Sequence, residues 1–146
     1  RTEVFADSNV LVYLFDDEGA KTRRSEEILE RGVTVSVQVL NEFANVLIKK
    51  QAMALADVMA LTQTLIDVCQ VFDLSVHTHQ MALTLMAKYK LSLYDANIVA
   101  AAGLSGCEIL YTEDMQDGLN VKMPASAGGT TFSIKNPFRA SGTVSG

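Results

Sequence analysis

Four acidic residues, Asp7, Glu42, Asp95 and Asp114, are scattered through a chain of 146 residues. Each stands beside a segment whose pattern fixes its place. Asp7 directly follows the apolar run Val4 to Ala6. Asp114 follows the run "ILYT", with Asp117 three residues on. Asp95 opens the apolar stretch "DANIVAAA". Glu42 borders the apolar arc of Val39, Leu40, Phe43, Val46 and Leu47 on an amphipathic helix. Two unit charges 4 Å apart repel by about 4 kcal/mol at an effective dielectric of 20. A cluster of carboxylates must therefore take up protons or hold cations. An all-oxygen set with no Cys or His close by suits Mg2+ or Mn2+. Such a centre activates water and stabilises charge in phosphoryl transfer. Each acid also has a plain structural reading. Ser92 and Asp95 have the spacing of a capping box, and Glu42 fits a boundary residue with a hydrated tip.

The elements that must bring these acids together follow from periodicity and punctuation. Val4 to Ala6 reads as a strand, followed by a helical segment to Phe15. "AKTRRSEEILERG" reads as a helix ending at Gly32. The β-branched "VTVSV" reads as a second strand. Ser36 caps a helix running to about Lys50. A helical period covers Leu55 to Cys69, "QVFDLSV" is a short strand, and Thr78 to Tyr89 is another amphipathic helix. The Asp95 helix ends near Gly106, and Glu108 to Asp114 is strand then turn. "KMPASAGGT" reads as a loop and "TFSIKNPF" as a last strand. Strands alternating with helices imply a parallel sheet with right-handed crossovers. Ligands of such sheets bind outside the carboxyl ends of the strands. Asp7, Asp95 and Asp114 all fall on that rim.

The totals exclude several classes. The length suits one domain, and 49% hydrophobic residues exclude wholesale disorder. A net charge of −5 argues against a bulk electrostatic grip on nucleic acid, but a cation held by the acids would reverse the local field. Cys69 and Cys107 lie apart in apolar surroundings, which points to buried free thiols in a reducing compartment. His77 and His79 read as surface residues, without the ligand spacing of a structural zinc site. The longest apolar run is far short of the ~20 residues a membrane span needs. A cytoplasmic location without membrane contact is expected.

Four blocks, "FADSNVLVYLF", "VSVQVLNEFANVL", "LSLYDANIVAAA" and "ILYTEDMQDG", resemble those of a PIN domain, in particular the VapC-type toxin ribonucleases of type II toxin–antitoxin systems. "NPF" at Asn136 to Phe138 resembles the end of one branch of them. The resemblance runs from about Val4 to Phe138 and implies a three-layer α/β/α fold with a central parallel sheet. It implies a nuclease domain over 1–139, with 140–146 a disordered tail or a cloning remnant. The implied activity is Mg2+- or Mn2+-dependent endoribonucleolysis of phosphodiester bonds. The implied metal and catalytic set is Asp7, Glu42, Asp95 and Asp114, with Asp117 assisting, Asn9 supporting Asp7 and Thr112 supplying a hydroxyl. The implied partners are an RNA substrate, a cognate antitoxin and a second copy of the chain. Apolar residues between Met53 and Leu91 exceed what one sheet face can cover, in keeping with a homodimer. The glycine-rich "ASAGGTT" is long for the family.

Two other classes fit part of the pattern. Asp7 after a first strand suits an aspartyl phosphoryl acceptor of the receiver or haloacid-dehalogenase kind. A PIN-like module that binds RNA without cutting it is the second. Elsewhere, Met53, Met59, Met81 and Met86 read as core filling, Tyr94 as a packing residue, and most of the basic residues as solvated helix faces.

Overall fold

The computed structural model describes residues 3–16 and 19–139. The tail expected over 140–146 lies outside the described residues. The elements run β1 (Val4–Ala6), α1 (Ser8–Val12), a 3-10 turn (Tyr13–Phe15), α2 (Ala20–Arg31), β2 (Thr34–Ser36), α3 (Val37–Lys49), α4 (Leu55–Val68), β3 (Gln70–Phe72), α5 (Val76–Tyr89), α6 (Leu93–Leu104), β4 (Ile109–Tyr111), β5 (Asn120–Lys122), a second 3-10 turn (Ala125–Ala127) and β6 (Thr131–Lys135).

The six strands form one sheet in the order β3-β2-β1-β4-β6-β5. All pairings are parallel except β5 with β6. From β1 the chain steps outward through β2 to β3. It then returns to lay β4 on the other side of β1. The carboxyl ends of β1 and β4 thus form the switch point of the sheet, where open α/β folds place their ligands.

β5 was not expected. Its Asn-Val-Lys sequence is too short and too polar to read as a strand. Val121 alone is buried, and β6 supplies the backbone partners. The chain between β5 and β6 is a 3-10 turn rather than plain loop, closed by Gly128 at φ 92°. α5 begins at Val76, two residues before the expected start, because Ser75 is its cap. Thr78 completes a reciprocal capping box with Ser75 instead of opening the helix.

The core lies where sheet meets helix. Phe5, Val35 and Leu110 from the strands pack with Phe43, Leu47, Ile98 and Ala101 from the helices, and all are almost or wholly inaccessible. Fully burying such an aliphatic or aromatic side chain contributes about 1.5–3 kcal/mol. α6 is apolar on nearly all sides and buries Ala96 and Ile98 through Gly103. That accounts for a helix with little amphipathic signature: it is enclosed by α5, α3 and the sheet.

Two expectations about packing are corrected. Met59 is 64% exposed and Tyr94 is 64% exposed. Met59 shares the outer stripe of α4 with Leu55 and Ile66 at helical spacing, whereas Val58 and Leu65 of that helix turn to the core. Tyr94 precedes Asp95 at the start of α6, before the helix enters the core. Among the described residues no helix is long and apolar enough to cross a membrane.

Candidate active site

Asp7 is the centre of the site. Phe5 pairs with Leu110 and Ala6 with Tyr111, and the Asp7 N–H donates to Tyr111 O at 3.0 Å. The register therefore sets Asp7 beside Thr112. Asp7 also caps α1, with Oδ1 accepting the Ser8 N–H at 2.7 Å. Its Oδ2 accepts the Thr112 hydroxyl at 2.8 Å and the Asn9 amide at 3.4 Å. Asn9 binds Thr112 Oγ1 at 3.1 Å through the same amide and accepts the Glu113 N–H at 3.0 Å through Oδ1. The Asp114 N–H donates to Thr112 Oγ1 at 3.2 Å. One asparagine and one threonine thus hold the ends of β1 and β4 in register beyond the last strand pair.

Glu42 arrives from α3. It is half-buried. Its Oε1 accepts the Ser8 hydroxyl at 3.2 Å and its Oε2 accepts the Gln38 amide at 2.9 Å. Ser8 therefore touches both Asp7 and Glu42, a bridge the sequence does not reveal, since a serine after an aspartate reads only as a cap. Asp95 lies at the start of α6, where Ser92 Oγ accepts its N–H at 3.2 Å. Asp95 is half-buried and Asp114 is exposed.

The charges confirm the proximity. Burial raises the Asp7 carboxyl to about 6. Hydrogen bonds from Thr112 and Ser8 oppose the rise, and the charges of Glu42 and Asp95 add to it. Burial likewise raises Asp95, a hydrogen bond with Ser92 opposes this, and the charge of Asp114 adds to it. The charges of Glu42 and Asp95 thus reach Asp7, and that of Asp114 reaches Asp95. The four acids are not a closed cage. Among the described residues no three His, Cys, Asp or Glu side chains stand close enough together to hold a metal ion.

Asp117 lies apart from these four in its bonding. Oδ1 accepts the Asn136 N–H at 2.8 Å and Oδ2 pairs with Arg139 at 3.2 Å. Glu113, adjacent to Asp114, turns to Lys21 at 2.7 Å and to the Tyr13 hydroxyl at 2.8 Å. Lys21 Nζ lies 4.8 Å from the Tyr13 ring centre, and Tyr13 meets Phe138 edge-on at 5.0 Å. Lys21 is therefore not a free solvated cation. The NPF segment packs back towards the site through Phe138.

Beside the acids opens a cleft of about 770 Å3, with Glu42, Glu113 and Asp114 at its acidic end.

Comparison with known proteins decides the family. The PIN domain model matches residues 4–116, which hold all four acids. The chain belongs to the PIN domain family. Its fold is similar to that of Mycobacterium tuberculosis VapC20, a sarcin-ricin loop cleaving toxin, with a TM-score of 0.63 at 20% identity over 76% of this chain and 89% of that one. A toxin–antitoxin complex from Klebsiella pneumoniae matches with a TM-score of 0.63 at 24% identity over 94% and 99% of the two chains. DNA-bound VapBC from Salmonella typhimurium matches at 0.60 and 18% identity over 94% and 99%. At these identities the likeness shows the fold. No curated protein matches the sequence.

The donor chemistry of this PIN domain fits a hard divalent cation. Four carboxylates are linked through these charges, and among the described residues no Lys or Arg pairs with any of them. Asp7 is raised chiefly by burial, and the charges of Glu42 and Asp95 add to the rise.

Proposed function

We propose that this PIN domain is a Mg2+- or Mn2+-dependent endoribonuclease, the toxin of a toxin–antitoxin pair. One observation carries the reading. Asp7 is 3% exposed, fixed by three donors and within the field of Glu42 and Asp95, and among the described residues no Lys or Arg pairs with it. Asp7, Glu42, Asp95 and Asp114 would hold the ion. When bound, the cation supplies an activated water and a counter-charge for the phosphate. Thr112, Ser8 and Asn9 fix the Asp7 carboxylate, and Ser8 and Gln38 fix Glu42, so the donors need little reordering. A cation held there would require the ionised Asp7 carboxylate, which burial disfavours below about pH 6. The exposed side of Asp114 faces incoming substrate.

The phosphoryl-acceptor reading loses ground on the same geometry. Both Asp7 oxygens are engaged, and among the described residues no lysine pairs with it. The family match also favours nucleolysis. The test is incubation with assorted RNAs, with and without Mg2+ or Mn2+, followed by mapping of the new ends. Metal-dependent cuts at defined positions are expected. Intact RNA at saturating metal would contradict the reading.

The partners follow from the same reading. The similar folds include toxin–antitoxin complexes, which supports a cognate antitoxin here. Leu55 at 65%, Met59 at 64% and Ile66 at 42% exposure form an apolar stripe on α4, the kind of surface that a second copy covers. A dimeric mass by light scattering at micromolar concentration is expected. Cys69, half-buried, and Cys107, buried, are both thiols, which suits a reducing cytoplasm, where the RNA lies.

A further inference from the structure

The cleft beside the acids is asymmetric. α3 forms one of its walls, with Glu42 at the acidic end, then Asn45 and Val46, then Lys50 and Gln51. Glu42, Asn45, Val46 and Lys50 fall within one side of the helix, about 140° wide, since Lys50 still has helical backbone angles at φ −94° and ψ −32°. Eight residues separate Glu42 from Lys50, or about 12 Å along the axis at 1.5 Å per residue. Val12, Tyr13 and Phe15 make the facing wall. Along the α3 wall the cleft thus runs from the Glu42 carboxylate past Asn45 and Val46 to the Lys50 ammonium, with Asp16 also in its lining.

Lys50 is exposed and, among the described residues, has no carboxylate within ion-pair distance. Asp16 also lines the cleft but is not paired with it. Two of the last carbonyls of α3 are engaged by the backbone that follows the helix. Val46 O accepts the Lys50 N–H at 2.8 Å and Leu47 O accepts the Met53 N–H at 3.0 Å. In a protein of net charge −5, an unpaired lysine facing a cleft that leads to a carboxylate centre is placed for an anion. A polyanionic strand has one at each nucleotide, and its bases need the kind of surface that Val12, Phe15 and Val46 present.

We propose that Lys50 binds the phosphate of a nucleotide flanking the cleaved bond, so that a single strand of RNA runs along α3 from Glu42 to Lys50. The proposal rests on the ribonuclease reading and adds the path of the strand. Its test is the salt dependence of binding. A labelled single-stranded RNA is titrated in Mg2+ at several salt concentrations. All proteins carry Asp7→Asn, which leaves the strand intact. Each phosphate contact contributes about 0.7 to the slope of log affinity against log salt for a single strand. Lys50→Ala should lower the slope by about that amount across unrelated sequences, and Lys50→Arg should restore it. Lys49→Ala removes the same charge one residue away, outside the cleft, and should leave the slope unchanged. A Lys50→Ala slope equal to the parent's, or equal losses from Lys49→Ala and Lys50→Ala, would overturn the proposal alone. Wild-type protein that neither binds nor cuts RNA in Mg2+ would overturn it together with the ribonuclease reading.

Discussion

Lys21 Nζ lies 2.7 Å from Glu113 Oε2, and this contact ties α2 to the residue directly before Asp114. The Lys21 ammonium is held charged by Glu113 and by the Tyr13 hydroxyl. The side chains are 39% and 22% exposed, so the pair adds at most about 1 kcal/mol to stability. Its larger effect is positional, because Glu113 is held at its N–H by Asn9 and at its carboxylate by Lys21. Lys21→Ala is expected to lower RNA cleavage by about tenfold, the scale of supporting-residue changes at metal centres, while the melting temperature moves little. Equal losses in cleavage and stability would assign the pair a structural role only.

Asp7 makes the metal-free protein sensitive to pH. Its folded carboxyl is raised to about 6 from the ordinary 3.8 of an aspartate, so the folded state holds the proton more tightly than the unfolded one. The associated stability is fully present below about pH 4 and is lost as pH rises towards about 6. Burying the charge costs roughly 3 kcal/mol above that window, at 1.36 kcal/mol per pKa unit. In chelator, Asp7→Asn should be more stable than wild type at pH 7, and the advantage should vanish near pH 4. Urea unfolding of both proteins across this range measures it. A difference that does not change with pH would contradict the assignment.

For Asp95 the two readings of its place in the helix give opposite outcomes. As a first-turn acid alone, Asp95→Asn would cost about 0.3–1 kcal/mol through the helix dipole and leave activity intact. As a ligand it should lose at least about tenfold in cleavage at saturating Mg2+. The apo protein should be as stable as wild type or more so, because the charge shared with Asp114 and Asp7 is relieved. Cleavage at the wild-type rate would return Asp95 to its cap.

Divalent metal should stabilise the fold. An ion that binds only the native state at one hundred times its dissociation constant adds about 2.7 kcal/mol. At roughly 2–4 °C per kcal/mol for a domain near this size, millimolar Mn2+ should raise the melting temperature by several degrees. Asp7→Asn should reduce that rise. A wild-type melting curve indifferent to Mn2+ would count against a cation at the four acids.

Much of the scaffold was legible because its signals are local. Ser36 and Gly32 mark helix ends by side chain and by backbone freedom, and both stand where the sequence places them. The chain positions of Asp7, Asp95 and Asp114 could be read from alternation of strand and helix, because a parallel sheet puts every strand end on one rim. What could not be read depends on contacts between distant residues. Ser8 reaches Glu42 across 34 positions and Lys21 reaches Glu113 across 92, and neither has a spacing rule. β5 exists because β6 offers it a partner, not because Asn-Val-Lys favours extension. Met59 and Tyr94 were misread for a related reason: helical period gives a residue's angle on its helix, but not whether anything covers that side.

The last strand completes the structure in the middle of the sheet. β6 lies between β4 and β5. Lys135 O accepts the Thr112 N–H at 3.1 Å, Ile134 O accepts the Gly118 N–H at 2.8 Å, the Ile134 N–H donates to Leu119 O at 2.8 Å, and the Asn136 N–H donates to Asp117 at 2.8 Å. A ribosome making this chain releases all four acids before it releases the strand that fixes the turn bearing the fourth. Domains fold as the chain emerges, from the N-terminus onward, yet here the edge around Thr112 and Asp114 waits for nearly the whole domain. A polypeptide interrupted before Lys135 carries every carboxylate without the strand that frames the turn bearing Asp114.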